Sequence, residues 1–293
     1  MITVIGSINM DLVVETDYVP EKGETTLGKT FSTFFGGKGA NQVVSIARLG
    51  KAAQMIGACG TDQYGEMALA SLQQENVKTD HVFAIPDEST GIASIIVSEA
   101  DNRIIVVPGA NNRLTPDHIE QVKQEIIGSE LVVIQLEIPT ETVQAALEIC
   151  QEHQIPVVLN PAPVDHFQQE FIDLATYLTP NESECRQIFG ENIEKALEQY
   201  PNKLIITLGD KGARFFDGEQ HHFIQGFQTT PVDTTGAGDT FNGSFAVAVA
   251  EGKRIEEAIK FANASASLSV EKKGAQNGMP SLESVLERLS LEQ

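Results

Sequence analysis

The chain has 293 residues, 41 Asp and Glu against 20 Lys and Arg, a formal net charge of −21 and 41% hydrophobic residues. That is enough chain for one large core, and the acidity comes from scarce Lys and Arg rather than from a disordered acidic tail. Such a field repels polyphosphate backbones and anionic lipid headgroups, which excludes nucleic acid and membrane surfaces as main partners but leaves room for a small polyanion in a dedicated local site.

In chain order, the amino end from Met1 to Ser7 has no Lys or Arg before Lys22 and breaks its apolar run at once, so it does not read as a signal peptide. No apolar run approaches the roughly eighteen residues a membrane span requires. Ile2–Ile5 is expected to be a strand of the main sheet. The segments 11–35 and 82–107 look different: Thr25–Phe35 and Ile92–Val97, then a turn over Ala100–Arg103, then Ile104–Val107, suggest short strands and a hairpin. Two insertions forming one small sheet can build a lid over a cleft. From about residue 114, apolar runs alternate with helical stretches: Leu131–Leu136, a helix over Thr140–His153, Val157–Leu159, Leu174–Leu178, a helix from Glu182, and Lys203–Leu208. Continuously apolar strands separated by helices indicate a parallel sheet covered on both faces. The expected fold is α/β, a three-layer domain with a mainly parallel central sheet plus a small β-sheet lid, in one domain over 1–293. Cys59, Cys150 and Cys185 are widely spaced with no CxxC pairing, which fits buried thiols in a reducing cytoplasm.

The ends of the main strands carry the strongest physical clue. Ligands of open parallel sheets bind outside the carboxyl ends of the strands. Here Ile2–Ile5 runs into Gly6-Ser-Ile-Asn9-Met-Asp11, Leu131–Leu136 into Glu137, Val157–Leu159 into Asn160, Leu174–Leu178 into Thr179-Pro-Asn181-Glu182, and Leu204–Leu208 into Gly209. Each alone is an ordinary turn or helix cap; five on one edge favour a cleft.

Three glycine-rich segments need sorting. Gly23-Glu-Thr-Thr-Leu-Gly28-Lys29-Thr30 spells a P-loop, but a P-loop needs a buried strand before it and a helix after it, whereas Tyr18-Val-Pro20 precedes and a strand-patterned Phe31–Phe35 follows. It is a chance match within the lid. Gly36-Gly37-Lys38-Gly39-Ala40-Asn41 leads into the helical Gln42–Leu49, so its backbone can approach a ligand closely, Lys38 supplies charge and Asn41 can read hydroxyls from the first turn. Thr234-Thr235-Gly236-Ala237-Gly238-Asp239 opens a helix over Thr240–Glu251. Small residues there present bare amides and the positive end of the helix dipole, which suits a phosphoryl group gaining charge. Asp239, in that first turn, is expected to have a lowered pKa and to accept a proton.

Together Gly6-Ser-Ile-Asn-Met-Asp11, Gly36-Gly-Lys-Gly-Ala-Asn41, Asn160-Pro-Ala-Pro163, Asn181-Glu-Ser-Glu184 and Asp233-Thr-Thr-Gly-Ala-Gly-Asp239, in this order, closely resemble the PfkB family of carbohydrate kinases, over essentially the whole chain. The resemblance implies transfer of the ATP γ-phosphoryl group to a sugar hydroxyl. Within the family, Asn9, Asp11 and the Gly-Lys-Gly-Ala-Asn run point to O5 of D-ribose.

The resemblance also implies roles. Asn9, Met10, Asp11, Gly37, Lys38, Gly39, Ala40, Asn41 and Glu137 would form the sugar site. Asp239 would take the proton from O5, with the amides of Gly236, Ala237, Gly238 and Asp239 as anion hole. Asn181, Glu184, the run Thr207-Leu208-Gly209-Asp210-Lys211-Gly212, Gly238, Asp239 and Asn263 would meet ATP, with Asn181 and Glu184 linked to Mg²⁺ through waters. A monovalent cation, normally K⁺, would sit among oxygens of Asp233, Thr235, Ser269, Lys272, Gly274 and Gly278; Gly278 stands where the family often has Ser, removing one side-chain oxygen. His221 and His222 match no metal spacing and read as surface residues of a hairpin. Two other readings stand beside this one: a PfkB kinase for 2-deoxyribose, fructose or adenosine, and a catalytically silent sugar-binding regulator on the same fold. A homodimer is expected, because a small lid sheet with one apolar face would otherwise expose it.

Overall fold

The computed structural model describes residues 1–98 and 101–291. Its strands, in chain order, are β1 (Ile2–Ile5), β2 (Asn9–Glu15), β3 (Thr30–Gly36), β4 (Ala53–Gly60), β5 (Lys78–Ile85), β6 (Gly91–Ser98), β7 (Asp101–Val107), β8 (Leu131–Gln135), β9 (Val157–Asn160), β10 (Tyr177–Leu178), β11 (Ile205–Thr207), β12 (Gly212–Phe216) and β13 (His221–Gln225). The central sheet runs β10-β9-β8-β1-β4-β5 and every pairing in it is parallel. β11 continues it through two parallel bridges, Leu178 to Leu204 and Asn181 to Thr207. β12 and β13 then close that flank as an antiparallel extension.

The expected parallel sheet is therefore present, and period-two alternation divides its side chains between two cores. Ile2 and Val4 of β1 join Leu131 and Val133 of β8 on one face; Ile5, Val132 and Ile134 lie in the core on the other. Both faces are covered, which is why these strands read as unbroken apolar runs. The helix Thr140–Glu152 covers the second face with Val143, Ala146, Leu147 and Cys150. Three helices pack the first face: Lys38–Arg48, Ala237–Ala250 and Ile255–Ser269. Cys59, Cys150 and Cys185 are free and buried.

A separate four-stranded sheet runs β3-β2-β6-β7. Its membership corrects several sequence expectations. β5 lies in the main sheet beside β4, so residues 82–85 do not belong to the small sheet, whose second segment begins at Gly91. Residues 25–29 are irregular and β3 starts at Thr30. β2 begins at Asn9, so Asn9, Met10 and Asp11 of the polar run after β1 already belong to a strand of the small sheet. The expected turn at Ala100–Arg103 is partly strand, because β7 starts at Asp101; Ala100 lies outside the described residues. Of the Leu174–Leu178 strand only Tyr177 and Leu178 pair, while Phe171–Leu174 forms a helical turn whose Phe171 and Ile172 are buried. The P-loop look-alike is coil leading into β3, the wrong context for binding phosphate.

One close approach sets the geometry used below. The helices Lys38–Arg48 and Ala237–Ala250 cross at Gly243, where an added Cβ would sit 2.7 Å from Ser45 Cβ and 2.8 Å from the Gln42 carbonyl oxygen. Ser45 Oγ donates to the Thr240 carbonyl across the same crossing. Gly243→Ala is accordingly expected to force the helices apart and to cost about 1–3 kcal/mol of stability, read as a lower denaturant midpoint; an unchanged midpoint would contradict this packing.

Candidate functional site

In a parallel sheet all carboxyl ends lie on one edge, and here that edge delivers Ser7, Glu137, Asn160 and Asn181 to one cleft mouth. The helix Lys38–Arg48 is capped by Gly37, which has φ 88°, and starts four residues before Gln42, the position expected from composition. Its first turn faces Glu137, whose Oε2 accepts from the Lys38 backbone N–H at 3.1 Å and from Ser7 Oγ. The helix Ala237–Ala250 starts at Gly236, left-handed at φ 78°, and its first turn carries Asp239.

Asp239 is buried, and side-chain amides from two consecutive residues hold it. Asn41 Nδ2 donates to Oδ2 and Gln42 Nε2 to Oδ1, each at 2.9 Å. The expectation of a lowered pKa is corrected: burial raises this carboxyl above its ordinary value, the Lys38 charge and the two amides only partly oppose that, and Glu137 adds to the rise. A base moved toward neutrality is better matched to taking a proton from an alcohol than a strongly acidic one.

The other charged groups respond to the same cluster. Asp11, on β2, is raised to about 7 by its burial, with the neighbouring charges of Glu137 and Asp239 adding. Burial alone would pull the Lys38 ammonium down, but Asp239, Glu137 and Glu184 more than offset it and hold it charged. Glu184 is raised by burial, against the Asn181 backbone N–H and Lys38. Lys38 is thus the positive centre among carboxylates contributed by the sheet edge and two helices.

The remaining predicted residues fall into three groups. Asn9 is buried and its Oδ1 accepts from Asn111 Nδ2 at 2.7 Å, which leaves Nδ2 as the donor it can offer a ligand. Met10 is fully buried, so its side chain belongs to the core rather than to a pocket surface. Gly39 and Ala40 complete the first helical turn, where the Ala40 N–H donates to the Ser7 carbonyl.

On the opposite side, Asn181 and Glu184 form a reciprocal cap at the helix Glu182–Phe189: Glu184 N–H donates to Asn181 Oδ1 and Asn181 N–H to Glu184 Oε2. The Asn-x-x-Glu spacing is therefore first a helix cap, and it fixes where Glu184 points. Thr207–Gly212 makes the turn from β11 into β12, pinned by Leu208 N–H to the Gly212 carbonyl and Gly226 N–H to the Lys211 carbonyl, with Gly209, Asp210 and Lys211 exposed. Asn263 joins this region, its Nδ2 donating to the Ile224 and Gln225 carbonyls.

The third group is one loop cluster. Both oxygens of Asp233 accept backbone N–H groups, from Thr235 and Gly274, and these bonds hold its carboxyl low despite the opposing effect of burial. A Cβ at Gly278 would fall 1.9 Å from the Ser269 carbonyl oxygen, so the residue at 278 packs directly on that carbonyl. Lys272 lies exposed in the turn between them. The oxygens this loop cluster offers are the Asp233 carboxylate and backbone carbonyls such as that of Ser269, and no cluster of three or more His, Cys, Asp and Glu that could hold a metal ion occurs among the described residues. Oxygen atoms of this kind suit a hard cation. His221 and His222 sit in β13, paired with Glu198 and Asp217.

Sequence reasoning missed Gln42, Gln135, Asn111 and Gln276, all buried and all bonded to the residues above. One signal was available: Gln135 interrupts an otherwise apolar strand, Leu-Val-Val-Ile-Gln-Leu, and a polar residue there requires a partner.

Comparison with known proteins assigns the family. The family described as pfkB family carbohydrate kinase matches residues 1–282. A ribokinase of Bacillus subtilis (strain 168) is 50% identical over 290 residues, covering 99% of each chain. Among solved structures, ribokinase from Thermotoga maritima superposes with a TM-score of 0.90 at 36% identity, covering 99% of each chain. Ribokinase of Arabidopsis thaliana complexed with ribose and ATP gives 0.92 at 34% identity, covering 98% of each.

The raised pKa of Asp11 has a consequence for the free protein. A carboxyl that titrates near 7 folded but near 3.8 unfolded gives the folded state the extra proton between those values, so its contribution to stability is full below about pH 4 and is lost as pH rises to about 7. Asp11→Asn should therefore stabilise the ligand-free protein by an amount that grows from pH 4 to 7 and levels off above, on the order of 1 kcal/mol or more. Thermal melts across this range check it; a pH-independent difference would contradict the placement of Asp11.

Proposed function

The chain belongs to the pfkB family of carbohydrate kinases, and from that premise we propose that it transfers the γ-phosphoryl group of ATP to O5 of D-ribose, giving D-ribose 5-phosphate and ADP. The observation that carries this reading is Asp239: a buried carboxylate at a glycine-rich helix start, within electrostatic reach of Lys38, Glu137 and Glu184.

Asn9, Asp11, Lys38, Asn41 and Glu137, with the close-approaching backbone of Gly37 and Gly39, hold the sugar hydroxyls. Asn9 offers an N–H while Asp11 and Glu137 accept, a mixed set suited to a small polyhydroxylated ligand and poor for an apolar base. Asn41 spends one amide hydrogen on Asp239 and keeps the other for substrate. Asp239 takes the O5 proton as the O5–Pγ bond forms and the bond from Pγ to the β-phosphate oxygen breaks. The amides of Gly236, Ala237, Gly238 and Asp239 stabilise the charge spread over the transferring group.

ATP lies along Thr207–Gly212, Asn263 and Gly238. Glu184 keeps one carboxylate oxygen outside its cap and with Asn181 would hold Mg²⁺ through waters, and the ion would neutralise phosphate charge. Oxygens of the loops around Asp233, Thr235, Ser269, Lys272, Gly274 and Gly278 would hold K⁺, which would supply a fixed positive charge to the site. Gly236 packs on Ala275 of that cluster, with an added Cβ only 2.8 Å from Ala275 Cβ, so the cation would stiffen the anion-hole backbone. The four-stranded sheet acts as the lid over the sugar and excludes water, which would otherwise compete for the phosphoryl group.

The lid sheet also offers an interface. Phe31, Ile104, Ile105, Val106 and Val107 are exposed on it, and pairing two copies through these strands would cover them, giving a homodimer. No helix among the described residues is long and apolar enough to cross a membrane, and the three free buried thiols suit a reducing compartment such as the cytoplasm.

Asp239→Asn should leave sugar and ATP binding largely intact and lower kcat by about 10²–10⁴; near-normal kcat would refute the base assignment. Comparing ribose, 2-deoxyribose, fructose and adenosine as acceptors tests the substrate, which is ribose only if its kcat/KM is clearly highest. For the dimer, sedimentation velocity at micromolar concentration should give a two-chain species that Ile105→Asp dissociates. A monomeric parent protein would contradict it.

A further inference from the structure

The two amides on Asp239 are themselves held from behind, each by a glutamine on a different element. Asn41, which gives Nδ2 to Asp239 Oδ2, receives Gln276 Nε2 on its Oδ1 at 3.1 Å. Gln42, which gives Nε2 to Asp239 Oδ1, receives Gln135 Nε2 on its Oε1 at 2.6 Å and reaches Asn160 Oδ1 at 3.3 Å. Gln42 and Gln135 are fully buried, and Gln276 is 7% exposed.

Burying these amides costs free energy that apolar residues of similar volume would not. Gln135 bears this cost visibly, because its Oε1 is buried without a protein partner. Its placement is explained by what its N–H does. An amide whose oxygen is already claimed by a donor can present only its N–H on the other side. Gln135 and Gln276 therefore fix the polarity of Gln42 and Asn41, and both carboxylate oxygens of Asp239 are met by hydrogens.

We propose that Gln135 and Gln276 are positioning residues for phosphoryl transfer, acting through Gln42 and Asn41 to lock the orientation of the Asp239 carboxylate. This rests on the reading of Asp239 as the base. The two chains of bonds tie that base to strand β8 on one side and to the short helix Ala275–Gly278 on the other. Arg48, at the far end of the helix bearing Asn41 and Gln42, donates to the Gln276 and Met279 carbonyls, so the second anchor is itself fixed. The other charged groups acting on or beside the base are Lys38 from the same helix, Glu137 after β8, Glu184 from the helix after Asn181, and Asp11 on β2. None of them contacts Gln135 or Gln276 in the bonds described, so cutting the amide chains leaves that field in place.

The test is steady-state phosphorylation of ribose across pH by Gln135→Leu and Gln276→Leu, with ribose affinity measured separately by calorimetry. Each variant should lose between about tenfold and a hundredfold in kcat, with KM and Kd for ribose within about twofold for Gln135→Leu and a larger rise only for Gln276→Leu, because Asn41 also meets the sugar. The acid limb of the kcat profile should move up by roughly half a unit or more, because a loosened N–H no longer favours the ionised carboxylate. A kcat and acid limb at parental values in both variants would overturn the proposal, as would a loss of activity carried by KM with the limb unmoved. If Gln135→Leu fails to fold, Gln276→Leu, at the less buried end of the other chain, decides by the same readings. An Asp239→Asn variant with near-normal kcat overturns the base assignment and this inference with it; a normal Asp239 phenotype with unaffected glutamine variants overturns this inference alone.

Discussion

The site depends on one buried contact between two helices, the carboxylate of Asp239 held by Asn41 and Gln42. A carboxylate taken out of water is costly unless its lone pairs are met, and here each oxygen receives an amide N–H. Those amides come from the helix that also carries Lys38, so the same element supplies the positive charge that favours the ionised form. Shifting either helix would break the hydrogen bonds and weaken the charge pairing together. The crossing at Gly243 fixes their spacing, since a side chain there would meet Ser45 and the Gln42 backbone.

The parallel sheet explains why the other groups arrive at the same place. Its carboxyl edge is where backbone direction and helix N-termini converge, so Glu137, Asn160 and Asn181 need only to follow their strands to face the two helix starts. Helix N-termini and the Lys38 ammonium supply the positive charge in this cleft, set among the carboxylates of Asp11, Glu137, Glu184 and Asp239. The acidity is unevenly spread along the chain: residues 120–198, which include Glu137 and Glu184, carry 15 acidic and 3 basic side chains, whereas residues 1–60 carry 5 of each. A nucleotide polyanion would be met there by Lys38 and the amides at the helix starts, while the global charge serves solubility.

The sequence made the α/β layering legible because doubly covered strands are unbroken apolar runs and strand ends carry polar residues. It also exposed the glycine-rich helix starts and the false P-loop, since both turn on what precedes and follows a motif. Less legible were features set by tertiary contact. Val82 to Ile85 looks like a lid strand by pattern, yet it pairs with β4, and β-patterning does not state which sheet a strand joins. The pKa direction of Asp239 was misjudged because a helix-terminal position suggests stabilised charge, while the burial that dominates it comes from elements distant in sequence. Gln42, Gln135 and Gln276 escaped for the same reason, as their partners lie 93 to 235 residues away.

If Asp239 is the base, O5 of ribose must lie against its carboxylate, with the γ-phosphoryl group at the anion hole. A crystal structure of the protein with ribose and a non-hydrolysable ATP analogue tests this most directly. The expected result is O5 within hydrogen-bond distance of Asp239, Asn41 and Gln42 still donating to its two oxygens, and the γ-phosphoryl group over the amides of Gly236 to Asp239. A sugar presenting another hydroxyl to Asp239, or a carboxylate turned away from both amides, would contradict it.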